Sequence, residues 1–201
     1  MALFDWMPEP IGTVLDGEGV VLRAPRAGDY AAWSGLRERS RHYLQPWEPR
    51  WPDDDLSRAA YRRRMIIYAR EIELGNAWPF FIFAAGTGDL VGAVTLSNIR
   101  RGVAEMGTIG YWIGEPFAGH GHATAAVRAL VAFAFGPLNL HRIEAACVPD
   151  NLASRRVLEK AGFVHEGLAR AYLKINGEWA DHLLFGCVND AVEPGGGQSA
   201  P

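Results

Sequence analysis

Cysteine is scarce in this chain. Of 201 residues only Cys147 and Cys187 are cysteine, they form no CxxC, and no histidine pair lies near them. That excludes a disulfide framework, and reduced thiols in the cytoplasm become the expectation. The six histidines show no HExxH or other ligand spacing, so no metal is expected. Positive charge is in short supply too. With a net charge of −3, no global basic field directs the chain to nucleic acid. Long apolar runs are also missing. The most apolar segment, Ala123–Phe135, carries Arg128 and is too short to cross a bilayer. Met1–Pro10 holds Asp5 and Glu9 without the basic-then-apolar order of a signal peptide. No internal repeat is evident. What is present, 49% hydrophobic and 11% aromatic residues, suits one folded domain with a substantial core.

Residues Val20–Ala24 read as a strand, and Asp29–Leu44 carries Tyr30, Trp33, Leu36 and Tyr43 at near-helical spacing. Three prolines between Gln45 and Pro52 forbid a regular helix there. Ser57 is a candidate cap for a helix over Arg58–Leu74, whose Arg62-Arg63-Arg64 reads as a solvated face. Strands follow at Trp78–Ala85, Leu90–Leu96 and Met106–Ile113, the first two joined by the Gly86–Asp89 turn. Ala123–Phe135, apolar almost all round, reads as a buried helix. Then come a strand at Arg142–Val148, a helix at Asn151–Ala161 stopped by Gly162, and two strands around Asn176-Gly177. The order predicts a mixed α/β sheet with helices on its faces. Residues 1–19 read as an N-terminal extension, 20–190 as the domain and 191–201, rich in Gly, Pro, Ser and Gln, as a disordered tail.

One segment suggests chemistry. Gly119-His120-Gly121-His122-Ala123-Thr124 lies between a strand and the buried helix. Free N–H groups at a helix start form an anion site, and small residues let a phosphate approach the backbone. No Gly-Lys-Ser/Thr follows, and GxGxxG spacing fails, so it is neither a P-loop nor a dinucleotide fingerprint. An ordinary glycine-rich turn is the competing reading. Likewise Asn151 and Ser154, three apart on one helix side, read alone as a cap and an exposed serine.

Three stretches in this order change the weighting: Gly110-Tyr111-Trp112-Ile113-Gly114, the glycine loop, and Pro149-Asp150-Asn151 through Ser154 to Gly162-Phe163. Together they resemble the central motifs of the GNAT N-acetyltransferases. Leu96–Gly102, Asn139–Arg142, Tyr172–Trp179 and Asp181-His182 resemble the RimJ branch, the ribosomal-protein alanine N-acetyltransferases. The resemblance covers about Val20–Asn189. It implies a GNAT-type, mostly antiparallel central sheet with helices on both faces, in a single domain. It implies acetyl-CoA as co-substrate, held by Tyr111, Trp112 and Ile113 along the pantetheine. Gly119, His120, Gly121, His122, Ala123 and Thr124 would cradle the pyrophosphate, with Asn151 on the pantetheine and Ser154 beside the sulfur. One place departs: the family loop usually begins with Arg or Gln, and here that residue is Ala118.

Acetyl transfer to an amine needs a neutral amine, oxyanion donors and a proton for the leaving thiolate. A protein α-amine, with a reference pKa of about 7.7–8.0, needs weaker base assistance than lysine at about 10.4. Ser154 is the first candidate proton donor to sulfur and Tyr172 the second. Glu105, with Glu144 behind it, is the candidate base. Trp47 and Trp51 either pack or wall the acceptor groove. His120 and His122 read as solvated loop side chains; His141 and His182 read as hydrogen-bonded structural histidines. The resemblance implies the N-terminal alanine of a ribosomal protein as acceptor, with no direct nucleic-acid or membrane partner. A small amine acceptor, or a non-catalytic acyl-CoA sensor, are the rival readings. Acceptor identity and the choice between monomer and homodimer are not legible.

Overall fold

The computed structural model describes residues 12–189. The tail at 191–201 and most of the N-terminal extension lie outside them. Strands β1 (Val14–Gly17), β2 (Val20–Arg23), β3 (Trp78–Ala84), β4 (Leu90–Arg100), β5 (Met106–Ile113), β6 (Arg142–Cys147), β7 (Val164–Ile175) and β8 (Glu178–Val188) form one sheet. Its order is β1-β2-β3-β4-β5-β6-β8-β7. Every neighbouring pair is antiparallel except β5 and β6, which run parallel. Helices α1 (Tyr30–Arg39), α2 (Arg41–Leu44), α3 (Arg58–Glu73), α4 (His122–Phe135) and α5 (Leu152–Lys160) complete the domain.

Both faces of the sheet are covered, and β3 shows why its sequence is continuously apolar. Side chains alternate across a strand. Phe80 and Ile82 join the core beneath α4, with Leu22, Val94, Leu130, Phe133 and Phe185. Phe81 and Phe83 pack instead against Trp33, Leu36, Tyr61 and Met65 of α1 and α3. A strand buried twice has no polar face. Helix α4 lies close to the sheet because Ala125, Ala126 and Ala134 supply little side-chain bulk, while Phe133 meets the rings of Trp78 and Phe80 edge-on.

Several expected boundaries shift for identifiable reasons. The sheet begins before Val20: β1 pairs with β2, but its sequence VLDG is short and half exposed, and Asp and Gly are poor strand formers. The expected helix over 29–44 breaks at Ser40, a fully buried residue whose hydroxyl accepts from the Glu115 N–H at 2.9 Å. The polypeptide then turns through α2 and a short 3-10 turn at Gln45–Trp47. Ser57 does cap α3, accepting from the Ala60 N–H at 3.0 Å. Arg64 departs from the solvated face expected of it: it pairs with Asp55 at 2.8 Å and lies over the Trp33 ring. Asn176 and Gly177, at φ 46° and 94°, make the expected tight turn between β7 and β8.

Candidate active site

The site originates where two parallel strands part. β5 and β6 are paired only at Met106–Arg142, Gly107–Ile143 and Thr108–Glu144. Beyond those residues β5 stays paired with β4 as far as Ile113, and β6 stays paired with β8 as far as Cys147. Each strand follows its outer partner, and the edge of β5 from Ile109 onward faces a gap. A cavity of about 850 Å³ fills the gap. Residues 109–113 line it, together with the glycine turn and the first turns of α5. From the opposite side Tyr43, Leu44, Trp47, Glu48, Leu173 and His182 close it.

At one end the glycine turn delivers α4. Gly121 is the residue before the helix, at φ 84°, and no side chain caps the helix start. Ala125 N–H reaches back to the Gly121 carbonyl, so the N–H groups of His122, Ala123 and Thr124 precede the first intrahelical bond. An added β-carbon at Gly119 or Gly121 would meet nothing within 4 Å, and both residues have positive φ. The turn is therefore open in front and available to an anion, with the helix dipole favouring negative charge. Burial, and secondarily the neighbouring His120, hold the His122 imidazole below its ordinary value. The neutral form is thus favoured there, and the cradle relies on backbone donors.

At the throat, α5 begins beside the end of β5. Asn151 caps the helix by accepting the Ser154 N–H at 3.0 Å. The Ser154 and Tyr111 hydroxyls lie 2.9 Å apart, and the Tyr111 hydroxyl also donates to the Ser154 carbonyl at 3.1 Å. Burial, opposed by the Ser154 bond, pushes the Tyr111 hydroxyl well above its ordinary pKa. Burial likewise raises the Cys147 thiol, which lines the same throat. The arrangement is a neutral, hydroxyl-rich cluster beside a helix start and a free strand edge. It fits a thioester with a phosphate-bearing tail: anion donors at one end, apolar walls between, hydroxyls at the throat.

Of the residues singled out from sequence, Tyr111, Trp112, Ile113, Gly119, Gly121, His122, Ala123, Thr124, Asn151, Ser154 and Trp47 line the cavity. Four others do not. Glu105 precedes β5 at φ 38°, and its carboxylate accepts from Arg101 at 3.1 Å and from the Gly102 N–H at 2.8 Å. Those bonds, Arg101 first, lower its pKa and turn it into a loop brace at the paired end of β5 and β6. Glu144, opposite Thr108, bonds Arg142 at 3.1 Å and is also away from the cavity. Tyr172 is 47% exposed and sets its ring against His182 from outside. Trp51 stacks on Arg37 and donates to Glu48 at 2.7 Å, so it braces the wall instead of forming it. His120 stacks on His122 at the rim.

Sequence reasoning missed Glu48 and its clamp. Arg37 is 6% exposed and grips both Glu48 oxygens, at 2.7 and 2.8 Å. The Glu48 carbonyl accepts the Asn176 N–H at 2.8 Å, tying the Trp47 loop to the β7–β8 turn. Nothing in a local sequence pattern announces a pair eleven residues apart with a proline between them. Among the described residues no group of His, Cys, Asp or Glu could hold a metal, and no helix is long and apolar enough to cross a membrane.

Known proteins share this fold. Residues 20–164 match the family model of the acetyltransferase (GNAT) domain. The Bacillus subtilis (strain 168) protein named "Probable N-acetyltransferase YjcK" is 38% identical over 176 residues, covering 88% of this chain and 97% of its own length. The [ribosomal protein uS5]-alanine N-acetyltransferase of Escherichia coli (strain K12) is 31% identical over 170 residues, 85% of this chain and 84% of that one. Among solved structures, Mycobacterium smegmatis RimJ in complex with CoA-disulfide superposes with a TM-score of 0.83 at 35% identity, covering 90% of this chain and 88% of that one. With its parted parallel strands, uncapped glycine turn and these relatives, the chain belongs to the GNAT family of N-acetyltransferases, among homologues of the RimJ kind.

Proposed function

We propose that this enzyme transfers acetyl from acetyl-CoA to the N-terminal α-amine of a protein, an N-terminal alanine of a ribosomal protein being the acceptor that the names of its relatives suggest. The observation that carries the reading is the cavity with two unlike ends. Its glycine-turn end suits the pyrophosphate, through the N–H groups of His122 to Thr124. Its other end, walled by Tyr43, Trp47 and Leu173, suits a polypeptide terminus. The backbone donors of His122 to Thr124 would stand in for the side-chain contact that Ala118 cannot make.

The amine nitrogen attacks the thioester carbonyl carbon directly, in a complex of both substrates. The free edge of β5 near Tyr111–Ile113 supplies N–H donors to the oxygen as it gains charge. The C–N bond forms and the C–S bond breaks. Ser154 donates its hydroxyl proton to the leaving sulfur, its oxygen held 2.9 Å from the hydroxyl of Tyr111, which burial keeps protonated. A thiol near 8.5 is a good leaving group, so a hydroxyl suffices. An α-amine acceptor also suits a site whose wall carboxylate, Glu48, is committed to Arg37 and Trp51.

The test is a thiol-release assay with two versions of one peptide. The first has a free N-terminal alanine; the second is blocked at its terminus and offers only lysine. Turnover of the first alone is expected. Equal turnover of both defeats the α-amine reading, and turnover of small amines in place of either peptide favours the small-molecule alternative.

A further inference from the structure

We propose that His182 is the general base that takes the proton from the attacking amine. The proposal rests on the acetyl-transfer reading above. His182 is 2% exposed, yet its side chain lines the cavity. Its Nδ1 lies 2.9 Å from the Ala180 carbonyl oxygen. A carbonyl only accepts, so Nδ1 carries a hydrogen, and in the neutral ring this fixes the tautomer in which Nε2 keeps its lone pair. Nε2 is then the proton-accepting atom in a ring that already reaches the cavity.

Strand parity places that ring on the acceptor side. Leu183 and Phe185 belong to the core under α4, the face on which α5 and Ser154 lie. His182, one residue earlier on β8, points to the other face, towards the walls built by Tyr43 and Trp47. Leu183 is opposite Cys147, the last residue of β6, so His182 falls just past the point where β6 ends at the throat. Ser154 and His182 therefore flank the parted strands from opposite sides. An amine entering from one side and a thiolate leaving on the other need that disposition.

Neighbours hold the ring in place. The Tyr172 ring meets it edge-on at 5.7 Å. Tyr172 is presented by a bulge in β7 between Ala169 and Leu173, where Ala171 has φ 46° and its N–H donates to Asp181 at 2.8 Å. A bulge beside a site re-aims a side chain. Here it sets the Tyr172 ring against the imidazole. In the reaction the nitrogen's proton passes to Nε2 and then to solvent. The sulfur's proton comes from Ser154, which solvent restores, so the balance closes.

The experiment starts from the free-alanine peptide and the wild-type enzyme. His182→Gln should lower kcat about 10²–10⁴-fold, the usual contribution of a positioned base, while acetyl-CoA binding by calorimetry stays the same. His182→Ala should recover turnover when imidazole is added, which a merely structural histidine would not do. Nitrogen-15 NMR of the wild type gives a readout that needs no variant: the His182 Nε2 should be the unprotonated nitrogen of a neutral ring. Wild-type kcat in folded His182→Gln, or an Nε2-protonated tautomer, overturns the proposal. If the wild type acetylates only a small amine, the acceptor assignment fails instead, and the same variants are measured with that amine.

Discussion

Replacing Arg37 with methionine should destabilise the protein by about 3 kcal/mol, at the low end of the range for breaking a buried ion pair from one side. Methionine keeps an unbranched stem and removes the charge. Two carboxylates then lose their cation: Glu48, bonded at 2.7 and 2.8 Å, and Asp55, 3.9 Å away. Their side chains are only 18% and 11% exposed, so water replaces the guanidinium poorly. The low end is chosen because each keeps one partner, Trp51 for Glu48 and Arg64 for Asp55. For a domain of this size about 3 kcal/mol corresponds to a fall in Tm of roughly 6–12 °C. Stacking of Arg37 on Trp51, at 4.0 Å, is lost as well and adds to the fall.

Thermal unfolding of four proteins decides the point. Arg37→Met should show the full loss, and Arg37→Met with Glu48→Gln should recover part of it, because the stranded charge is gone. Arg63→Met is the control: its partner Asp54 is 55% exposed, and such pairs contribute at most about 1 kcal/mol. A Tm for Arg37→Met equal to that of the control would refute the reasoning, showing that desolvation had already cancelled the attraction.

The remaining predictions concern the cavity. Gly121→Glu places bulk and negative charge where the proposed cradle would hold phosphate oxygens, so calorimetry should find most acetyl-CoA affinity lost in a folded protein; unchanged binding would remove the cradle. Ser154→Ala should lower kcat about tenfold to a hundredfold, the low end for a general acid because the thiolate leaves readily, and should change acetyl-CoA binding little. Full activity in Ser154→Ala would make water the donor. Trp47→Ala should raise the peptide KM with little effect on acetyl-CoA, whereas Trp51→Ala, which opens the Arg37 clamp, should chiefly lower Tm; matching KM effects would erase the distinction between the two tryptophans.

How much of this was readable beforehand depended on whether the signal was local. Ser57 and Asn151 cap their helices within three residues, and the Asn176-Gly177 turn is set by two, so each was legible. The glycine turn ahead of α4 was legible for the same reason. Glu105 misled because strand alternation alone suggested a place beside Glu144 on a neighbouring strand; a positive φ and two local bonds take it out of the sheet. Tyr172 misled through a bulge, which shifts the alternation of β7 and which no residue pattern announced. His182 read as structural because no catalytic or ligand spacing surrounds it in the sequence, and the structure does give it a hydrogen-bond partner, the Ala180 carbonyl. Its place in the cavity follows only from the end of β6, a tertiary fact.

The same tertiary fact explains why one sheet can serve two substrates. A continuous parallel pair would satisfy both strand edges and leave no entrance. Because β5 is anchored by β4 and β6 by β8, the two can separate after three paired residues without either strand losing its outer ladder. The result is a row of β5 backbone groups without a strand partner, facing the cavity. A ligand that hydrogen-bonds along that row satisfies them. On the proposed reading the pantetheine arm would take that place and complete the sheet, and the edge beside Tyr111 would then be a more selective seat for an extended polar chain than the apolar walls around it.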